Sequence, residues 1–180
     1  MTAANPIALQ LKGLGPGRMF RNGGSYLGWA LGAAAGFGLA GKGEGERQRA
    51  GGRGAAGDIP VAVCGDGSFI FAVPTAVLWF ARTHQIPVLT VVLNNATYNS
   101  VRLAGRDGYP DGAQVRHGYV GSDFGETPHA DEVARACGVA GFRASDGEQL
   151  RSALKQAVET VQAGQPALVT VDTTTADRPM

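Results

Sequence analysis

Two short apolar runs constrain this chain more than any other feature. Val61-Ala62-Val63-Cys64 stops at Gly65-Asp66-Gly67-Ser68, and Val88 to Leu93 stops at Asn94-Asn95. Both runs are rich in β-branched residues and end in turn formers, so each reads as a strand buried on both faces, the pattern of a parallel sheet. Between them Pro74 suits the start of a helix. Val77, Leu78, Phe80 and Ala81 recur at helical spacing as far as His84, so a helix makes the crossover. Both breaks then fall at the C-terminal ends of neighbouring strands, the edge at which open α/β sheets bind ligands.

The residues at the two breaks have a definite chemistry. Asp66 is a hard anionic oxygen ligand and Asn95 offers a neutral amide oxygen. A carboxylate and a carboxamide on adjacent loops suit Mg²⁺, which binds few protein ligands and fills its remaining positions with water and phosphate oxygens. Gly65 and Gly67 allow a tight turn and a close ligand approach. Gly67 and Ser68 are expected to present backbone N–H groups near a helix start, where a phosphate is favoured. The ligand implied is a diphosphate bridged to the protein by Mg²⁺.

Gly65-Asp66-Gly67, then 26 residues (Ser68 to Leu93), then Asn94-Asn95, resembles the signature of thiamine-diphosphate-dependent enzymes. The likeness is to the C-terminal cofactor domain of the acetolactate synthase, pyruvate decarboxylase and benzoylformate decarboxylase group, and runs from about Gly24 to about Thr174. It implies that Asp66, Asn95 and the backbone carbonyl of Thr97 bind Mg²⁺. It implies that Tyr98 and Asn99 lie on the phosphate side. It also implies that Leu27, just before Gly28, props the bent cofactor, and that the carbonyl of Ser25 meets the cofactor's amino group.

The rest of the chain fits one α/β domain. Residues 1–23 are weakly patterned and rich in Gly and Pro, like the end of a linker. The domain proper is placed at 24–180. Leu27 to Leu39 is small and apolar nearly all round, as in a tightly packed buried helix. Within it, Gly36-Phe37-Gly38-Leu39-Ala40-Gly41 fits a dinucleotide-binding pattern letter for letter. It ends a helix instead of following a strand, which is the wrong context. Residues 41–58 form a Gly-rich, charged insert, expected to be a solvated loop. Arg102 to Gly125 is polar with scattered aromatics, expected to be an irregular lid in which Tyr109, His117 and Tyr119 are candidate contacts. A helix over His129–Cys137, a strand over Ala140–Ala144, a helix capped by Asp146 and a last strand over Ala167–Asp172 complete the pattern. The expected fold is therefore a doubly wound parallel sheet with helices on both faces.

Composition narrows the function classes. With 44% hydrophobic and 17% charged residues in 180, the chain is long and apolar enough for a sizeable core. A formal charge of +1 gives no electrostatic reason to bind nucleic acid or a membrane surface. No apolar run reaches transmembrane length, and a cytoplasmic location is the expectation. Two cysteines, Cys64 and Cys137, do not make a disulfide framework. No nucleophile motif is visible, and no catalytic residue is assigned.

The resemblance further implies an enzyme that breaks or forms the bond beside the carbonyl of a 2-oxo acid, with thiamine diphosphate and Mg²⁺ as cofactors. The activating Glu of such enzymes lies in a separate pyrimidine-side domain, usually of a second subunit. Glu44, Glu46, Glu126, Glu132, Glu148 and Glu159 have no matching context, and the chain is expected to start too late to contain it. A homo- or hetero-oligomer is expected, with the chain inactive alone. The alternatives are a non-catalytic assembly or regulatory module of the same fold and, third, a nucleotide-binding α/β protein.

Overall fold

The first apolar run folds as β1 (Val61–Gly65) and the second as β2 (Leu89–Asn94). They pair in parallel with Val61 opposite Leu89 and Gly65 opposite Leu93. The computed structural model describes residues 18–22, 24, 26–43 and 58–174. In chain order the other elements are α1 (Trp29–Gly43) before β1; α2 (Asp66–Phe71) and α3 (Pro74–Thr83) between the two strands; and then α4 (Asn99–Gly108), α5 (Ala113–Arg116), α6 (Ala130–Ala136), β3 (Ala140–Ala144), α7 (Gly147–Gln162) and β4 (Ala167–Asp172). The four strands form one sheet in the order β1-β2-β4-β3, all parallel.

Because side chains alternate along a strand, each strand feeds two cores. Cys64, Val92 and Leu168 point to one face, where Leu31 of α1, Phe69 of α2, Leu78 of α3 and Ala134 of α6 cover them. Leu89, Val169 and Ala144 point to the other face, where Ala153, Ala157 and Val161 of α7 cover them. The sheet thus carries helices on both faces, as the sequence implies. Asp146 caps α7 by accepting the N–H groups of Glu148 and Gln149 at 2.9 and 2.8 Å. In α3 the core positions are Leu78 and Ala81, while Trp79 is an exposed surface residue.

Three boundaries differ from the sequence reading. The first helix starts at Trp29 instead of Leu27 because Gly28 has φ +84°. A Cβ on Gly28 would lie 2.8 Å from the Cα of Ala72, so the chain must turn there before it can coil. The Asp66-Gly67-Ser68 stretch is the first turn of α2, with Gly65 extended at its N-cap. That short helix ends at Phe71, and Val73 takes a left-handed φ of 50° before Pro74 opens α3; the residue before a proline is pushed out of the right-handed helical region. The expected irregular lid is partly helical, since α4 and α5 occupy much of it. The Tyr98 carbonyl starts α4 by accepting from Val101 and Arg102.

Within the stretch read as a linker, Arg18 pairs with Asp58 and the Phe20 ring lies 4.7 Å from Phe37. Residues 1–17, Gly23 and most of the 41–58 insert lie outside the described residues.

Two predictions follow from this packing. A Cβ on Gly141 of β3 would sit 2.1 Å from the backbone oxygen of Asp131 in α6, and neither backbone has room to give. Gly141→Ala is expected to cost about 1–3 kcal/mol, as overpacking does, measured by urea unfolding. At the end of β4, burial alone would raise the Asp172 carboxyl. Hydrogen bonds from Arg143 and Asn94 and the Arg143 charge outweigh it and hold the group below its ordinary 3.8. A depressed carboxyl adds stability above the unfolded value and loses it as pH falls through the folded one. Asp172→Asn should therefore lower stability modestly at neutral pH and approach the wild type below about pH 4, so that its acid limb is flatter.

Candidate functional site

The register places the end of β1 level with the end of β2, so Asp66 and the loop 94–98 share one edge of the sheet. Asp66 is only 5% exposed. Its Oδ1 accepts the Gly67 N–H at 2.8 Å. Its Oδ2 is buried and has no hydrogen-bond partner. Burial pushes the Asp66 carboxyl above the usual range, and the backbone N–H groups of Gly67, Ala96, Asn95 and Thr97 pull it partly back. Three of those four belong to the β2 loop, so this loop is wrapped over the carboxylate. Two strand ends far apart in sequence have become one electrostatic unit.

The loop itself is held from behind. Ala96 adopts a left-handed φ of 55°. Asn94 Oδ1 accepts the Thr127 hydroxyl at 2.8 Å, and its Nδ2 donates to Asp172 at 3.0 Å, which makes Asn94 structural. Asn95 Oδ1 receives only a long contact, 3.3 Å from the Thr97 N–H. The Thr97 hydroxyl donates to the Ser122 carbonyl at 2.7 Å. The Tyr98 N–H donates to that same carbonyl at 2.8 Å, and the Phe124 N–H donates to the Ala96 carbonyl at 3.0 Å. Thr97 thus bridges Asp123 as an antiparallel pair that exchanges no bonds of its own, and its carbonyl stays outside the bridge.

Tyr98 and Ser68, expected on the phosphate side, hold the site's own parts together. The Tyr98 hydroxyl donates to the Gly67 carbonyl at 3.1 Å, and its ring meets Phe124 edge-on at 4.7 Å. Ser68 Oγ accepts the Gly28 N–H at 2.8 Å, joining α2 to the turn that carries the half-buried Leu27. The two glycines differ from expectation. Neither Gly65 nor Gly67 has a positive φ, and the Gly67 N–H is taken by Asp66. What Gly67 provides is space, because a Cβ there would lie 2.2 Å from Tyr98 Cε1. Ser25 lies outside the described residues. Among the lid candidates, Tyr109 and His117 are exposed, and Tyr119 lies under the Arg102 guanidinium at 5.5 Å.

Chemically, the edge offers one buried carboxylate, one under-used carboxamide oxygen and one carbonyl outside the bridge. This donor set fits a hard divalent cation that completes its shell with phosphate oxygens. Among the described residues no three His, Cys, Asp or Glu side chains gather as an all-protein metal site. Cys64 beside it is no nucleophile: burial, and then the Asp66 charge, push its thiol up to about 12. The sequence reading missed Ser122, Phe124 and Thr127, which fix the loop. They sit in polar, Gly-rich sequence with no motif, and only the folded chain brings them to residues 94–98.

Gly67→Ala should therefore destabilise by about 1–3 kcal/mol through the displaced Tyr98 ring. The loss should shrink when Tyr98→Ala is already present, a coupling that a double-mutant cycle in urea measures.

Comparison with known proteins identifies the family. The family model described as thiamine pyrophosphate enzyme, C-terminal TPP binding domain, matches residues 5–171. Benzoylformate decarboxylase of Pseudomonas aeruginosa is 31% identical over 118 residues, which are 65% of this chain and 20% of that protein. The crystal structure of benzoylformate decarboxylase from Polynucleobacter necessarius superposes with a TM-score of 0.63 at 22% identity, over 86% of this chain and 25% of that one. A thiamine diphosphate-dependent 4-hydroxybenzoylformate decarboxylase of Rhodococcus jostii RHA1 gives 0.64 at 24%, over 84% of this chain and 24% of that one. At these identities the structures speak for the fold alone, and the chain spans about a quarter or less of the length of these relatives. The family match extends over most of the chain and includes both strand ends that build the edge, and on it this chain belongs to the thiamine pyrophosphate enzymes, as their C-terminal TPP-binding domain.

Proposed function

We propose that this chain binds the diphosphate of thiamine diphosphate through Mg²⁺ and serves as the cofactor half of a 2-oxo acid decarboxylase or carboligase. The observation that carries this is the buried Asp66 carboxylate, with one oxygen unpartnered, beneath the N–H groups of residues 95–97. A buried charge without a partner is costly, and a divalent cation would remove that cost. Asp66, Asn95 Oδ1 and the Thr97 carbonyl would hold Mg²⁺, which here anchors and orients the cofactor. Ser68 accepts from Gly28, and a hydroxyl that accepts still has a proton to give to a phosphate oxygen. Leu27, next to Gly28, would support the cofactor's bent form, with the Ser25 carbonyl as its polar neighbour.

When bound, the cofactor supplies the electron sink that lets the bond beside the carbonyl of a 2-oxo acid break. This chain's residues fix the diphosphate end and keep the anchoring loop in shape. The substrate is proposed to be a 2-oxo acid. The relatives act, by their names, on benzoylformate and 4-hydroxybenzoylformate, which favours one with an aromatic side chain. The proton-handling Glu is proposed to come from a pyrimidine-side domain on a partner chain or another part of a longer protein. Glu126 and Glu132, near the start of α6, are 91% and 65% exposed, and Glu148 and Glu159 lie on α7, which covers the sheet face opposite to α2.

Thermal unfolding with Mg²⁺ and thiamine diphosphate tests the binding. Ligand at about 100 times its dissociation constant adds about 2.7 kcal/mol, a shift of several degrees for a domain near this size. The shift should need both ligands and vanish in Asp66→Ala. Without ligand the sign is opposite: a carboxyl raised in the folded state destabilises as pH rises above the unfolded value, so Asp66→Asn should raise the ligand-free midpoint at pH 7. A wild-type chain with no shift at millimolar ligand would instead favour an assembly module of the same fold. Adding a pyrimidine-side domain and measuring CO₂ release from benzoylformate separates a working half-site from a relic.

A further inference from the structure

Beside Asp66 lies a small cavity of about 10 Å³, close to the volume one water requires. Asp66 and Thr170 both line it, with Phe69, Ile70 and Val92 as apolar walls. Thr170 is on β4, two residues beyond Leu168, so it points to the same face as Leu168 and Val92. It is 2% exposed. Its Oγ1 has no hydrogen-bond partner, and neither has Asp66 Oδ2. Asn94 also lines the cavity, but its side chain is committed to Thr127 and Asp172. An acceptor without a donor and a hydroxyl without an acceptor therefore belong to two residues that line one water-sized, mostly apolar space.

We infer that Thr170 is a positioning residue for Asp66, joined to it by one internal water that accepts from the Thr170 hydroxyl and donates to Asp66 Oδ2. A carboxylate oxygen has two lone pairs, so accepting from the core side leaves the outer side for a cation. Ligating carboxylates are commonly steadied by such outer partners, whose loss weakens metal binding about 10–100-fold. The bridge would also explain a hydroxyl in the middle of the apolar run Ala167 to Val171, where valine would otherwise fit.

This inference deepens the reading of Asp66 as the metal-anchoring carboxylate, and one arm of its test is independent of metal. In metal-free buffer, Thr170→Val should lower the thermal midpoint in the wild-type background. In an Asp66→Ala background, where the hydroxyl has no partner to serve, it should leave the midpoint unchanged or raise it. Equal shifts in the two backgrounds would overturn the bridge, whatever the protein does with Mg²⁺. In the presence of thiamine diphosphate, the Mg²⁺ concentration for half-maximal stabilisation should rise at least about tenfold in Thr170→Val and stay near wild type in Thr170→Ser, which keeps the hydroxyl. A valine variant that binds Mg²⁺ like the wild type would refute the positioning role. A wild-type chain that shows no Mg²⁺ response at all would instead count against the metal site, and the metal-free cycle would still decide the bridge. A high-resolution crystal structure should show one ordered water between Asp66 Oδ2 and Thr170 Oγ1, and a dry contact there would exclude it.

Discussion

Asp66 is a carboxylate held inside the protein at the meeting point of two parallel strands, and most of the surrounding structure bears on that placement. Burial opposes its ionisation, while four backbone N–H groups partly support it. Three of the four come from the loop after β2, so the loop can stabilise the charge only if β1 and β2 end at the same level. The register Gly65 opposite Leu93 meets that condition. A slip of one residue would turn every strand side chain to the other face, and both cores would lose their packing together with the site. Fold stability and site geometry are thus set by the same pairing.

A loop that must present N–H groups, a side-chain oxygen and a carbonyl to one point cannot rely on regular structure. It is fastened instead by a second segment. Ser122 accepts from both Thr97 and Tyr98, Phe124 donates to Ala96, and Thr127 donates to Asn94. These bonds tie residues 122–127 to residues 94–98, and Tyr98 then ties the loop to α2 through Gly67. Anything that loosens the segment after α5 should be felt at the loop, which makes the C-terminal end of the lid candidate part of the scaffold.

Close approach, more than unusual backbone angles, accounts for the glycines that matter here. Gly67 makes room for an aromatic ring and Gly141 for a helix backbone, and neither has a positive φ. Gly28 has both a positive φ and a neighbour too close for a Cβ. At these places the absence of a side chain brings elements within reach of hydrogen bonds such as Gly28 to Ser68.

The sequence by itself determined the strands, their parallel arrangement in a doubly wound sheet, and the two strand ends with Asp66 and Asn95. Those features follow from short-range signals: β-branched runs, turn formers, helical spacing and the N-cap at Asp146. It left undecided how the glycines are used, where α2 begins, how much of 99–116 is helical, and what Tyr98 and Ser68 hold. The tertiary structure decided these because each depends on atoms distant in sequence. Tyr98 reaches Gly67, Ser68 reaches Gly28, Ser122 reaches Thr97, and Thr170 faces the same small cavity as Asp66. Local pattern fixes which residues can become strand, helix or turn. The partner of a buried polar group is fixed only when the packed chain brings that group beside another.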